Sequence, residues 1–204
     1  MAREVPAFVT HYHLADKQPF LNLSDLAEAE LAAVMQDLEQ RRALSGLKRV
    51  FGPRYMRLRR LTEDRLHELF LQAGGLPKRK APHYFVLGSS EWYRGLAPDT
   101  REVVLRLEDL PSEVMSFTYP DSFTAMAFGP QFGIPLQARP YHKQVFRLEQ
   151  LKDVVAQYGL PADATEDGYE GYAYRPFEKY IEVQVWSDEP IRPFLNSRRS
   201  ALSA

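Results

Sequence analysis

Seven residues late in the chain carry the strongest chemical signal. Tyr180-Ile181-Glu182-Val183-Gln184-Val185-Trp186 alternates in polarity, and on a strand successive side chains point to opposite faces. Ile181, Val183 and Val185 make an apolar face. Tyr180, Glu182, Gln184 and Trp186 make the other, where a carboxylate and an amide lie side by side between two aromatics able to stack on a flat ligand. Such a row is the lining of a binding cleft or the wet face of an antiparallel edge strand.

The histidines come next. His11-Tyr12-His13 puts two imidazoles on one side of an early strand, a spacing that can chelate a metal. No carboxylate follows at short spacing, so no metal is expected, and hydrogen bonding to a neutral ligand or to backbone is the simpler role. There is no cysteine, which removes disulfides, thiolate nucleophiles and sulfur-ligated zinc. The chain has no Gly-x-Ser-x-Gly elbow, phosphate-binding glycine loop or His-Glu-x-x-His helix, and several large enzyme classes lose their signature.

Three segments read together suggest a constellation: His11 or His13 from the first strand, Ser90 and Tyr93 from the middle of the chain, and Glu182 from the last strand. In order and texture this resembles the His-Tyr-Glu branch of the ADP-ribosyltransferase fold, in particular DarT-type nucleic-acid ADP-ribosyltransferase toxins. The resemblance spans about 40 residues in three pieces. It implies NAD as cofactor, with Glu182, Tyr93 and His13 as catalytic residues. His11, Ser90, Trp92 and Gln184 would then contact the cofactor. His13 would donate to the nicotinamide ribose, an aromatic of the middle segment would stack on nicotinamide, and Glu182 would meet the oxocarbenium-like ribose or the acceptor's proton. Glu178, preceded by Arg175, is the rival carboxylate.

Charge is unevenly spread, for although the net value is -1, residues 41–80 hold 12 Lys and Arg against three acids, and the remainder holds 14 bases and 24 acids. Such a segment recruits phosphates, with Arg57, Arg59 and Arg60 as the expected nucleic-acid surface, or pairs with acids elsewhere in the fold. Two other functions fit the same residues. A non-catalytic protein that binds a small ligand or partner would use the loop aromatics Tyr119, Phe123, Phe128, Phe132 and Tyr141. An RNA-binding module would use the basic helices.

The elements that must position these groups are legible in outline. At 204 residues, with 45 % apolar and 12 % aromatic residues, the chain suits one domain with a packed core, here residues 1–195, followed by a tail over 196–204. Strands are expected at 7–13, 83–87, 103–107, 114–119, 144–148 and 180–186. Helices are expected from Ser24 or Asp25 to Leu44, between Gly52-Pro53 and Gly74-Gly75 with a bend at Thr62, and over 151–158. The first helix should bury Leu31, Val34, Met35 and Leu38, and the second Tyr55, Leu58, Leu66, Leu69, Phe70 and Ala73. Residues 121–139 read as a long loop and 162–171 as a connection. Val104 to Leu110 echoes Val145 to Leu151, each a strand running into a short helix. The fold class is therefore α+β: a mixed, mainly antiparallel sheet of about five or six strands with the N-terminal helices packed on it. No run is long and apolar enough for a bilayer, and Met1 to Pro6 carries no signal-peptide core, so a cytoplasmic protein without a membrane partner is expected. The oligomeric state is open.

Overall fold

The computed structural model describes residues 4–49, 51–128, 130, 137–161 and 179–196. Strand β1 (Phe8–Leu14) is followed by helices α1 (Glu28–Leu44) and α2 (Tyr55–Gln72), then β2 (His83–Leu87), α3 (Glu91–Arg94) and β3 (Thr100–Arg106). After these come β4 (Met115–Thr118), α4 (Ser122–Ala125), α5 (Leu151–Tyr158), β5 (Glu182–Val185) and α6 (Arg192–Asn196). The strands form one sheet in the order β3-β1-β2-β5-β4. Each neighbouring pair is antiparallel. The fold is α+β, as expected.

Register sorts the side chains. Thr10 faces Val86, Val86 faces Glu182, and Glu182 faces Thr118, so these four share one row; Tyr84, Gln184 and Ser116 make the next row on the same face. The opposite face carries Val9, Phe85, Leu87, Met115, Phe117, Val183 and Val185, which form the main core with Leu151, Val154 and Val155 of α5 and with Phe20 and Ile191. Ile181, Val183 and Val185 are buried there, as alternation requires.

The other side of β5 is not wet. Leu66 and Phe70 of α2 pack on Trp186 together with Ala125 and Met126, and Glu182, Gln184 and Trp186 are all buried. Around β5 the sheet is covered on both faces, because apolar residues of α2 lie on one stripe and find their partner in Trp186. α1 buries Leu31 and Leu38, while Val34 and Met35 pack partly covered beside Leu38, Leu47 and Ala97.

Helix α2 runs unbroken through Thr62, which is buried inside it rather than capping a second helix. Its end fits the glycine signal: Gly74 has a φ of +80°, where a side chain is strained, and the Gly75 N–H donates to Phe70 O at 2.9 Å. A Cβ on Gly75 would collide with the Phe70 ring. Ala73, expected in the core, is exposed. The expected strand at 144–148 is reduced to one bridge between Phe117 and Phe146, because a 3-10 turn starts at Leu148 and leads into α5. Loop residues Phe132, Gly133 and Pro135, the 162–171 connection, Arg175, Glu178 and residues 197–204 lie outside the described residues. No described helix is long and apolar enough to cross a membrane.

One irregularity of the sheet matters for the site. β1 pairs with β3 along its whole length, but with β2 only at Val9 and Thr10. Beyond Thr10 the two strands part. The chain returning from β1 enters this split, with Phe20 at a left-handed φ of 62°.

Candidate functional site

A cavity of about 210 Å³ lies between the split sheet, α2 and the residues leading into α2. This is below the roughly 300–1,000 Å³ usual for drug-sized ligands, and suits a molecule of one or two rings or one end of a longer one. Helix α2 contributes Tyr55 and Arg59, and behind them Glu63. These three are spaced by four residues, so they stack along one helix face.

Arg59 points inward, not to the surface it was expected to share with Arg57 and Arg60, both of which are exposed. Its Nε donates to Glu63 at 2.9 Å and to Ser24 at 3.1 Å, and its terminal nitrogens donate to Tyr55 at 3.2 Å and to Asn22 at 3.0 Å. The guanidinium centre lies 5.0 Å from the Tyr84 ring centroid. Burial opposes its charge, but Tyr55, Tyr84 and Glu63 more than restore it. A buried Arg–Glu pair accounts for the inward turn, since a charge removed from water needs a partner. Tyr84, which donates to Glu63 at 3.0 Å, is pushed well above its ordinary pKa by burial and by Glu63.

Arg49, on the segment before α2, donates to Tyr93 at 2.8 Å and to Tyr55 at 3.3 Å. Its guanidinium sits 5.3 Å from the Phe51 ring centroid. The Tyr55 hydroxyl thus accepts from two guanidiniums. Burial alone would raise its pKa, yet Arg49 and Arg59 together hold it below the ordinary phenol value.

Glu182 opens onto the same cavity. Gln184 Nε2 donates to its Oε1 at 3.1 Å, and a hydrogen bond joins it to Ser122. Burial, reinforced by Asp121, pushes its pKa up to about 7, against the opposing pull of Ser122, Gln184 and Arg49. Gln184 is itself locked: Trp186 Nε1 donates to Ser116 Oγ at 2.9 Å, Ser116 donates to Gln184 Oε1 at 2.9 Å, and Gln184 Nε2 also donates to Thr118 at 3.0 Å. The result is a carboxyl group that changes protonation near neutral pH and is held by a buried ladder.

Of the residues expected to act together, Glu182, Tyr93, His11 and His13 all line the cavity. They do not converge on one face. Glu182 shares its row with Thr10, so alternation sends His11 to the opposite side. There His11 bridges the split: its Nδ1–H donates to Tyr84 O at 2.9 Å, and its Nε2 accepts from Phe20 N–H at 3.1 Å. These partners assign the neutral tautomer, and burial lowers the His11 pKa to about 4. His13 Nδ1 is directed at the carbonyls of Leu14 and Lys17, at 2.9 and 3.2 Å.

Ser90 is buried and caps α3, its hydroxyl accepting from Tyr93 N–H at 3.1 Å. Trp92 is buried against Tyr180, with ring centroids 6.0 Å apart, while Tyr93 stacks on Tyr12 at 5.0 Å. Ser90, Trp92 and Gln184 support the site from behind and do not line the cavity. Arg49, Tyr55, Tyr84 and Ser122 belong to the site and escaped the sequence reading. The spacing of Tyr55, Arg59 and Glu63 was a readable signal; Arg49, in a loop, gave none. Among the described residues no cluster of three histidines and acids could hold a metal ion.

No family model, no curated protein and no solved structure matches the chain.

Proposed function

We propose that the chain binds a small, flat molecule in this cavity and that Glu182 exchanges a proton with it. The observation that carries this reading is a carboxyl group with a pKa of about 7 opening onto a cavity walled by phenols and guanidiniums. Strongly shifted acids in clefts mark functional sites, because a proton-transfer group works best when its pKa is near the ambient pH.

The ADP-ribosyltransferase resemblance gives this reading a specific form, with NAD as the ligand and only its nicotinamide and adjoining ribose inside so small a cavity. In that reaction the bond between ribose C1′ and the nicotinamide nitrogen breaks, and nicotinamide leaves with the bonding electrons. An acceptor oxygen or nitrogen then bonds to C1′, and its proton passes to Glu182. Tyr93, hydrogen-bonded to Arg49 and stacked on Tyr12, supplies a fixed aromatic wall for the nicotinamide ring. His11, with both ring nitrogens engaged, would contribute shape rather than a hydrogen bond.

A thermal-shift screen of the full chain with NAD, its nucleotide halves and short nucleic acids tests ligand class, since a ligand at 100 times its Kd adds about 2.7 kcal/mol. Mass spectrometry for ADP-ribose on nucleic acid or protein, with the parent and Glu182→Gln side by side, tests chemistry. The expected result is a fall of about 100-fold or more in the variant. A parent inactive across a broad acceptor panel would remove the transfer reaction and leave a binding protein.

A further inference from the structure

The lining of the cavity says more about its ligand than size alone. Among the described lining residues, Lys17, Arg49 and Arg59 are cations and Glu182 is the single carboxylate. Glu63 backs Arg59, Asp37 backs Lys17 at 2.7 Å, and Asp121 approaches Glu182 from the start of α4, so these acids set the field from behind the wall. Arg49 and Arg59 both direct donors at the Tyr55 hydroxyl on the cavity wall.

Tyr55 gives a direction. Its oxygen accepts from Arg59 at 3.2 Å and from Arg49 at 3.3 Å. A phenol oxygen has two lone pairs and one proton, so with both lone pairs taken the remaining bond is a donation. The Tyr55 ring is held edge-on by Phe51 and Phe123, with centroids 4.9 and 5.8 Å away, which fixes where the hydroxyl points. A donor flanked by two guanidiniums and set among aromatic walls selects an acceptor that is negative and flat.

We infer that the ligand carries a carboxylate on a planar conjugated body, the carboxylate seated at Tyr55 and Arg49 and the ring against Phe51 and Phe123. The inference rests on the reading that the cavity binds a small, flat molecule and fixes that molecule's charge; it stands as an alternative to the NAD form, whose nicotinamide carries a neutral amide. A single negative charge fits better than two, because the cost of burying an ion climbs steeply with its charge, and Glu182 already stands nearby. Glu182 also holds a proton for part of the time near neutral pH and can donate it to one carboxylate oxygen, an interaction that a neutral amide would not draw as strongly.

The test is isothermal titration calorimetry of the full chain with benzoate, its neutral isostere benzamide, and phenyl phosphate. Benzoate should bind at least about 10-fold more tightly than either, since hydrogen bonds to a charged acceptor are stronger than those to an amide and a second buried charge costs more than it returns. Tyr55→Phe keeps the ring contacts and removes the hydroxyl; it should weaken benzoate by about 10-fold and benzamide by clearly less, because the bond to a charged acceptor is the stronger one. Equal binding of benzamide, tighter binding of phenyl phosphate, or an unaltered benzoate affinity in Tyr55→Phe would each overturn the inference. If benzoate fails to bind while NAD or a nucleotide raises the melting temperature, the anion assignment falls and the ligand site stands. Silence towards every probe, with Glu182→Gln matching the parent in all assays, would remove both.

Discussion

The two sides of the sheet handle buried polar groups differently. On the His11 side each nitrogen of the imidazole has a backbone partner, Tyr84 O and Phe20 N–H, and the ring is stacked on Phe20 at 4.2 Å. His83, on the same side, meets Asp188 at 2.8 Å. These groups close a gap that the parting of β1 and β2 opens. On the Glu182 side the carboxyl is held from below by Gln184 and flanked by Ser122, yet it faces space. Both residues line the cavity and have a protonation shifted by burial, but His11 is a structural plug with both ring nitrogens engaged by backbone, whereas the Glu182 carboxyl is held by side chains. A shifted pKa therefore needs its geometry before it indicates function.

The comparison is sharpened most by His11→Leu. That change keeps bulk and removes both hydrogen bonds, leaving the Tyr84 carbonyl and the Phe20 N–H without their partner. Each such buried group costs about 1–3 kcal/mol, so the variant should lose about 2–4 kcal/mol in urea unfolding. If instead stability holds and ligand binding is lost, the plug is a binding residue and the contrast between the two sides disappears.

Much of this contrast was out of reach of a sequence reading, for physical reasons. Local signals worked where local physics decides: Gly74-Gly75 ended α2, residues 83–87 formed β2, and residues 151–158 formed α5. Alternation correctly put Ile181 and Val183 in the core and Glu182 on the other face. What alternation does not contain is what lies above that face, since the covering of Trp186 by Phe70 depends on contacts more than 100 residues apart in sequence. His11 and Glu182 do line one cavity, but they reach it from opposite faces of the sheet. Thr10, not His11, is in register with Val86 and Glu182, and a one-residue step flips a side chain to the other face. Arg59 was misplaced because its charge was read apart from Glu63, four residues on.

Protonation breaks the comparison in a second way. The Glu182 pKa is about 7 in the folded chain against an ordinary 4.5. Between those values the folded state holds a proton that the unfolded state releases, so this group's contribution is present at low pH and is lost as pH rises towards 7. His11 has the opposite sign: its folded pKa is about 4 against 6.5, so the unfolded state holds the extra proton and stability is lost as pH falls from 6.5 to 4. In the parent the two slopes oppose one another. Glu182→Gln removes one of them. Relative to the parent, the variant should gain up to about 3 kcal/mol as pH rises from 4.5 to 7, which parallel denaturant melts would read. A variant that becomes more stable while losing ligand would mark Glu182 as kept for function. A stability difference independent of pH would mean that the carboxyl does not titrate in this range.

The smallest expected effect on stability concerns Arg57 and Arg60, the two members of the basic segment that remain exposed. Arg59 is consumed by Glu63 and the cavity, so a surface of three arginines is reduced to two, and their value lies in attraction at a distance rather than in packing. Exposed substitutions of this kind usually change stability by less than about 0.5 kcal/mol. Replacing both by Glu should therefore leave the unfolding transition where it is and leave small-molecule binding in the cavity intact. If the segment recruits a nucleic-acid acceptor, the same double variant should weaken binding of a short oligonucleotide, and the salt dependence of binding should flatten by about 0.7–0.9 per lost phosphate contact. Fluorescence anisotropy at several salt concentrations would measure this. An oligonucleotide that binds the parent and the variant with equal affinity and equal salt slope would free Arg57 and Arg60 from any recruiting role. The acceptor for any group transferred at Glu182 would then have to be sought among molecules small enough to share the cavity.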